Sequence, residues 1–255
     1  MIDRGNAESL VFFCMALFIH FYQQERRFLG NILLSAAIAM KLFPIFFLVL
    51  MIADKKYKDT IYTIALALLW TLISMALLKG GIAANAEFIL KGGNMGGNIA
   101  LSTFLDRNAL LQRGVSLFSI LKIFLILTNT IQNVDMNTCL RIYKGVAGIC
   151  LIALSIYVVA VESTFWKRTT LLVFAMILFP HISADYRLIH IFIPMFLFVN
   201  ADHHPKTHYF YAVMFALLLI PKDYILLPDI RSDSNAEDIS IAVIVNAVMM
   251  LSVMA

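Results

Sequence analysis

The feature that most constrains this chain is a succession of long apolar runs: residues 9–22, 28–53, 60–78, 114–127, 145–161, 170–180, 188–199, 208–220 and 239–255. The runs are continuous instead of alternating. That points to helices in a bilayer and away from a transmembrane β-barrel. Composition agrees: of 255 residues, 61% are hydrophobic and 14% charged, and the mean hydropathy is +0.85. A soluble domain carries about a quarter charged residues. The predicted fold is all-α, a polytopic membrane helix bundle with short re-entrant hairpins. It forms one integral membrane domain over residues 1–255, with no visible internal repeat.

Charge sets the expected topology. Arg26/Arg27, Lys55/Lys56/Lys58 and Lys167/Arg168 are basic clusters, and the "HHPK" stretch at 203–206 is a weaker one. The positive-inside rule puts them all in the cytoplasm. The net charge of +4 therefore reads as topology, not as nucleic-acid binding. If Arg27 and Lys55 share a side, residues 28–53 must leave and return. Two full spans need about 40 residues, and this run is shorter. A re-entrant hairpin is favoured, with Lys41-Leu42-Phe43-Pro44 at its tip. Pro44 lacks an N–H and pushes Phe43 out of the helical region. The alternative is one tilted helix kinked at Pro44. The same logic sends 170–180 outward and 188–199 back, with "PHISADYRLIH" at 180–190 as the outer tip. In the run 114–127, Ser116, Ser119 and Lys122 share one helical face, which suggests an interfacial helix.

An ionisable residue inside a membrane segment is a functional candidate. Lys41 at a wet outer tip offers a phosphate a compact point charge. The competing reading is a snorkelling or helix-end lysine. Segment 180–190 holds His181, Ser183, Asp185, Tyr186, Arg187 and His190. Arg187 suits bidentate anion binding, against a simple Asp185–Arg187 loop pair. His181 and His190 are too far apart for one helical face, and no third ligand is close in sequence, so no metal site is assigned. "GGNMGGN" at 92–98 lacks the ending of a phosphate-binding loop. It either shows backbone N–H groups to an anion, with Asn98 as a candidate contact, or is a turn. Cys14, Cys139 and Cys150 have no metal or disulfide spacing, and Cys14 and Cys150 read as small packing residues. His20, Asn31 and Trp70 read as packing or interfacial residues. If 9–22 runs inward, the polar segments 3–8, 41–44, 94–107 and 181–190 meet at one membrane face. Such a face suits a substrate with a polar head and a lipid tail.

Four stretches occur in a telling order: "DRGNAESLVF", "AAIAMKLFPIFFLVL" with a basic cluster after it, "GGNIALSTFLDR" and "PHISADYRLIHIFIP". In this order the chain resembles glycosyltransferase family 87, a group of GT-C-type membrane enzymes. The resemblance implies transfer of a sugar, typically mannose or arabinose, from a polyprenyl-phosphate sugar donor. It implies a glycolipid or polysaccharide acceptor at the outer face of a bacterial plasma membrane, and no cofactor beyond the lipid-linked donor. Lys41 and Arg187 match the positions expected to meet the donor phosphate, with Asn98, His181, Asp185 and Tyr186 as further substrate contacts. The family's general base is expected on the first long external loop. This chain begins beyond that element, so a truncated and inactive chain is expected, and Asp3 is the only acidic residue in the right neighbourhood. The competing classes are an envelope polysaccharide polymerase or flippase-like protein and a non-enzymatic membrane subunit. A polymerase would carry a large arginine-bearing external loop, and 79–113 has few arginines. A transporter would show duplicated halves.

Overall fold

The computed structural model describes residues 7–87, 110–201, 205–222, 224–227 and 238–254. Among these the protein is all-helical, with two isolated antiparallel bridges, Gly114 to Ala184 and Leu226 to Ser240. The chain divides into two compact units, residues 1–102 with 158–161, and residues 103–157 with 162–255.

The first unit begins with α1 (Glu8–Gln23) and α2 (Arg27–Met40), followed by a 3-10 turn (Phe43–Phe47), α3 (Leu48–Ala53) and α4 (Tyr57–Leu77). Val11, Met15, Phe18 and Tyr22 form one buried stripe on α1, spaced at three and four residues as a helix face requires. They meet Gly30, Asn31, Leu34, Ser35 and Ala37 of α2. A Cβ on Gly30 would lie 3.6 Å from the Phe18 ring, so small residues on α2 let the two backbones come close. In lipid such helices gain from packing, not from apolar transfer. Phe18 also meets Phe47 edge-on, with ring centroids 6.0 Å apart.

Two matching turns fix the topology. Glu25 and Lys55 both adopt left-handed backbone (φ 57° and 58°). The next N–H reaches back five residues in each case, Arg26 to Phe21 O at 3.0 Å and Lys56 to Met51 O at 2.8 Å. This is the αL helix ending usually built on glycine. The turns lie side by side: Tyr22 Oη donates to Asp54 at 2.7 Å, and the Lys56 ammonium pairs with Glu25 at 2.9 Å. Arg27 Nη1 lies 3.9 Å from Asp59, and Asn31 donates to Asp59 at 3.2 Å. Residues 28–53 therefore leave this end and return to it, as the charge argument required. The break falls within the expected tip at 41–44, but Phe43 is helical. Lys41 is the extended residue (φ −150°, ψ 136°), and Phe43 already belongs to the 3-10 turn, with Pro44 in its first positions. Proline is tolerated there because the first N–H groups have no helical acceptor.

Helix α4 has 21 residues, and α7 (Met136–Ala160) has 25. These two are long and apolar enough to cross a membrane. Both are mostly unburied; Cys150, expected to pack, lies exposed on α7, and Trp70, read as a packing or interfacial residue, lies exposed on α4. On α7, Ile142, Val146, Ile149, Ile152 and Ile156 make an exposed apolar stripe. After α4, Gly80 and Gly81 take positive φ and turn the chain into α5, helical over 81–87.

The second unit contains α6 (Leu117–Leu127), α7, α8 (Phe165–Leu178), a 3-10 turn (Asp185–Ile191), α9 (Phe192–Val199), α10 (Pro205–Leu219) and α11 (Ile241–Met254). Its centre is α8, buried throughout residues 169–178. Ser116 caps α6 by accepting the Ser119 N–H at 3.1 Å. Ser116, Ser119 and Lys122 do share a face, but that face is buried inside the unit. The expected interfacial helix therefore turns its polar side toward protein. The Lys222 ammonium ends α10 by donating to Leu217 O, Ile220 O and Asn246 Oδ1.

Candidate functional site

The first candidate lies at the end of the α1–α2 pair remote from the basic turns. Glu8 opens α1 and Lys41 ends α2, so antiparallel packing brings them together. The Lys41 ammonium ion-pairs with Glu8. The Glu8 side chain is wholly buried, while that of Lys41 is 24% exposed. A carboxylate in the first turn also suits the helix dipole. The result is an ammonium fixed from behind by a buried anion and open on one side. A lysine ammonium is a donor that suits an oxyanion.

The second candidate is the stretch 180–190, in the other unit. The segments 113–115 and 183–185 run antiparallel. Val115 N–H donates to Ser183 O and Asp185 N–H to Arg113 O, both at 2.9 Å. Ser116 Oγ donates to His181 O at 3.3 Å. Gly114 lets the chain fold tightly between Leu110 and the start of α6, since a Cβ there would run into Leu110 O and Ser119 Oγ. Asp185 Oδ1 accepts the Tyr186 N–H at 2.8 Å, and Arg187 Nη1 donates to Met176 O at 3.4 Å. Burial, together with the positive charges of Lys144 and Arg187, holds the His181 imidazole below its ordinary pKa. Ser183 and His190 are fully buried. This is a cationic neighbourhood around a neutral histidine, suited to an anion.

Of the residues expected from sequence, Lys41 stands at the first candidate, and His181, Asp185, Tyr186 and Arg187 stand together at the second. Asp3 and Asn98 lie outside the described residues, as do segments 94–107 and 228–237. Two contributors were not anticipated. Glu8 was visible as a polar residue before a span, and only the antiparallel packing makes it the partner of Lys41. Lys144 stands in α7 one residue before the apolar run 145–161, and its charge within that helix is the signal that could have found it. Among the described residues no group of three or more His, Cys, Asp or Glu could hold a metal ion.

The sequence profile of glycosyltransferase family 87 matches residues 1–180, well over half of the chain. The chain belongs to glycosyltransferase family 87. It is therefore a glycosyltransferase by family, with a sugar donor and an acceptor as substrates, in a family of membrane proteins. Comparison with curated proteins and with solved structures finds no significant match. The family match includes the whole α1–α2 pair, hence both Glu8 and Lys41. It ends at Pro180, one residue before His181, so the second candidate rests on its own geometry.

Proposed function

We propose that the protein is a polytopic membrane glycosyltransferase that takes its sugar from a polyprenyl-phosphate donor and delivers it to a glycolipid or polysaccharide acceptor on the non-cytoplasmic face. In this reading Lys41 receives the donor phosphate, and Arg187 with Lys144 provides further positive charge for an anionic part of the substrates. His181, Asp185 and Tyr186 line that second region, and Asn98 is a further candidate contact. A carboxylate base must take the proton of the acceptor hydroxyl. Asp3 is the candidate by position.

The observation that carries the proposal is the Lys41–Glu8 pair, at the end of the helix pair remote from Arg26, Arg27, Lys55, Lys56 and Lys58. If the basic turns face the cytoplasm, this pair faces the compartment where lipid-phosphate sugars are consumed. An unpaired lysine at the centre of a membrane helix costs about 2.5–3.5 kcal/mol on insertion scales, and the Glu8 pairing and partial exposure lower that cost for Lys41.

The pairing also changes how the proposal is tested. Truncating Lys41 alone strands the buried carboxylate and confounds binding with folding. The clean comparison is Glu8→Gln against Glu8→Gln/Lys41→Gln, with the affinity of each for a polyprenyl phosphate measured in nanodiscs. Glu8→Gln removes the competing anion and should bind more tightly than wild type. The double variant should lose about tenfold or more relative to Glu8→Gln. Equal binding by both variants would remove Lys41 from the donor site.

A further inference from the structure

The second unit has a cavity of about 110 Å³ that neither candidate site uses. It lies where the end of α7, the start of α8, α10 and the end of α11 come together. Its walls include Tyr157, Trp166, Tyr211, Glu162 and Lys167, with Leu171, Val253 and Met254 on the apolar side. Trp166 and Tyr211 meet edge to face, with ring centroids 5.0 Å apart.

The two charged groups make no ion pair with each other. The Lys167 ammonium stands over the Trp166 ring, 5.8 Å from its centroid. Glu162 is anchored through three groups. Its N–H donates to Tyr157 O at 3.0 Å, its carbonyl accepts from Arg168 Nε, and its Oε1 accepts the Thr164 N–H at 2.7 Å. Glu162 has no ion-pair partner among the described residues. The cavity wall thus carries a carboxylate held by backbone groups and an ammonium beside an aromatic ring. A ligand that answers both carries an ammonium and an anion.

Where this cavity lies decides which such ligand. Lys167 and Arg168 form the basic cluster that the positive-inside rule places at the cytoplasmic surface. Tyrosine and tryptophan concentrate at that same headgroup depth. Leu171, Val253 and Met254 provide an apolar side for a glycerol backbone and the start of its chains. We propose that this cavity binds the headgroup of an aminophospholipid, with the primary ammonium on Glu162 and the phosphate on Lys167. The ammonium donates hydrogen bonds to the carboxylate, and Lys167 donates to the phosphate oxygens. The site is separate from Glu8, Lys41 and the 180–190 segment, so it stands or falls independently of the proposed transferase reaction.

Trp166 lines the cavity and reports on it. The chain has two tryptophans, so Trp70→Phe leaves Trp166 as the only one. The full-length Trp70→Phe chain in detergent would be titrated with dihexanoyl phosphatidylethanolamine, with dihexanoyl phosphatidylglycerol and with inorganic phosphate. The expected result is a saturable change in Trp166 emission with the ethanolamine lipid, and binding about tenfold weaker for the glycerol lipid, the worth of one partly desolvated charge contact. Inorganic phosphate should give no saturation in the same range. Glu162→Gln should erase the preference between the two lipids, and Lys167→Gln should weaken both. Equal affinity of the unmutated cavity for the two lipids would overturn the proposal without any variant, as would a phosphate response as strong as the lipid response. A preference that survives Glu162→Gln would overturn the assignment of the ammonium.

Discussion

Lys41 and Glu8, 33 residues apart in the chain, share one ion pair at the end of α1–α2 remote from the basic turns, and only the lysine reaches solvent. The arrangement is asymmetric, and so are the consequences of breaking it. Lys41→Met leaves a buried carboxylate without its cation and should cost about 3 kcal/mol of stability. Glu8→Gln removes the buried charge and leaves a partly exposed ammonium, so it should cost much less. The Glu8→Gln/Lys41→Met double variant should recover most of the single lysine loss. Thermal unfolding of the four proteins in one detergent checks this. Additive losses in the double variant would mean that the two side chains do not act as a pair.

Much of the first unit was legible in the sequence because charge and length are long-range constraints. Arg27 and Lys55 had to share a side, and too few residues lay between them for two spans. The tip at 41–44 was legible too, but its detail was not. The proline rule pushed Phe43 out of helical backbone, whereas Phe43 opens a 3-10 turn and the extended residue is Lys41, which pairs with Glu8. Ser116, Ser119 and Lys122 show the same limit, since spacing assigns them one face and tertiary packing decides that it points inward. Lys144 was visible as a cation within α7, but its closeness to His181 is set by tertiary packing.

Gly114 allows the tight passage from Leu110 into α6 for a steric reason. A Cβ there would collide with Leu110 O and Ser119 Oγ and lie 2.7 Å from Ser119 Cβ. Gly114→Ala should therefore destabilise by about 1–3 kcal/mol, the usual range for overpacking. At Gly145 and Gly148, in the middle of α7, an added Cβ would meet nothing within 4 Å. Gly145→Ala should be neutral or stabilise by up to about 1 kcal/mol, because alanine is the better helix former. Denaturation of the two variants side by side separates packing from backbone propensity. A tolerated Gly114→Ala would show that the chain between Leu110 and Ser119 can open to admit a methyl group.

His181 gives the second candidate a pH signature. Burial first, then Lys144 and Arg187, lowers its pKa from the ordinary 6.5. Well above that value the ring is neutral in both the folded and the unfolded chain, and this group adds no pH dependence. As pH falls through the ordinary value, the unfolded chain takes up a proton that the folded chain still refuses. Stability then drops toward acid. His181→Gln should flatten the part of the acid loss that arises here. Melting temperatures of wild type and variant at pH 7.5 and pH 5.5 test the sign, and a variant as acid-sensitive as wild type would leave His181 without this role.

Topology decides whether Lys41 and Leu42 can face the proposed donor. Ser183 is fully buried, so a cysteine there would report burial instead of sidedness. Leu42 is 71% exposed beside Lys41, and Lys58 is exposed in the basic cluster after α3. With Cys14, Cys139 and Cys150 replaced by alanine, Leu42→Cys should react with a membrane-impermeant maleimide added to intact cells. Lys58→Cys should react only after permeabilisation, because the positive-inside rule keeps that cluster in the cytoplasm. The two sites belong to one unit, and the side-by-side turns at Glu25 and Lys55 put them at opposite ends of it. Labelling of both from the same side would contradict the return of the chain over residues 28–53. Labelling of Lys58→Cys from outside and of Leu42→Cys only after permeabilisation would keep the hairpin and invert it, placing Lys41 on the cytoplasmic face and away from a donor consumed outside.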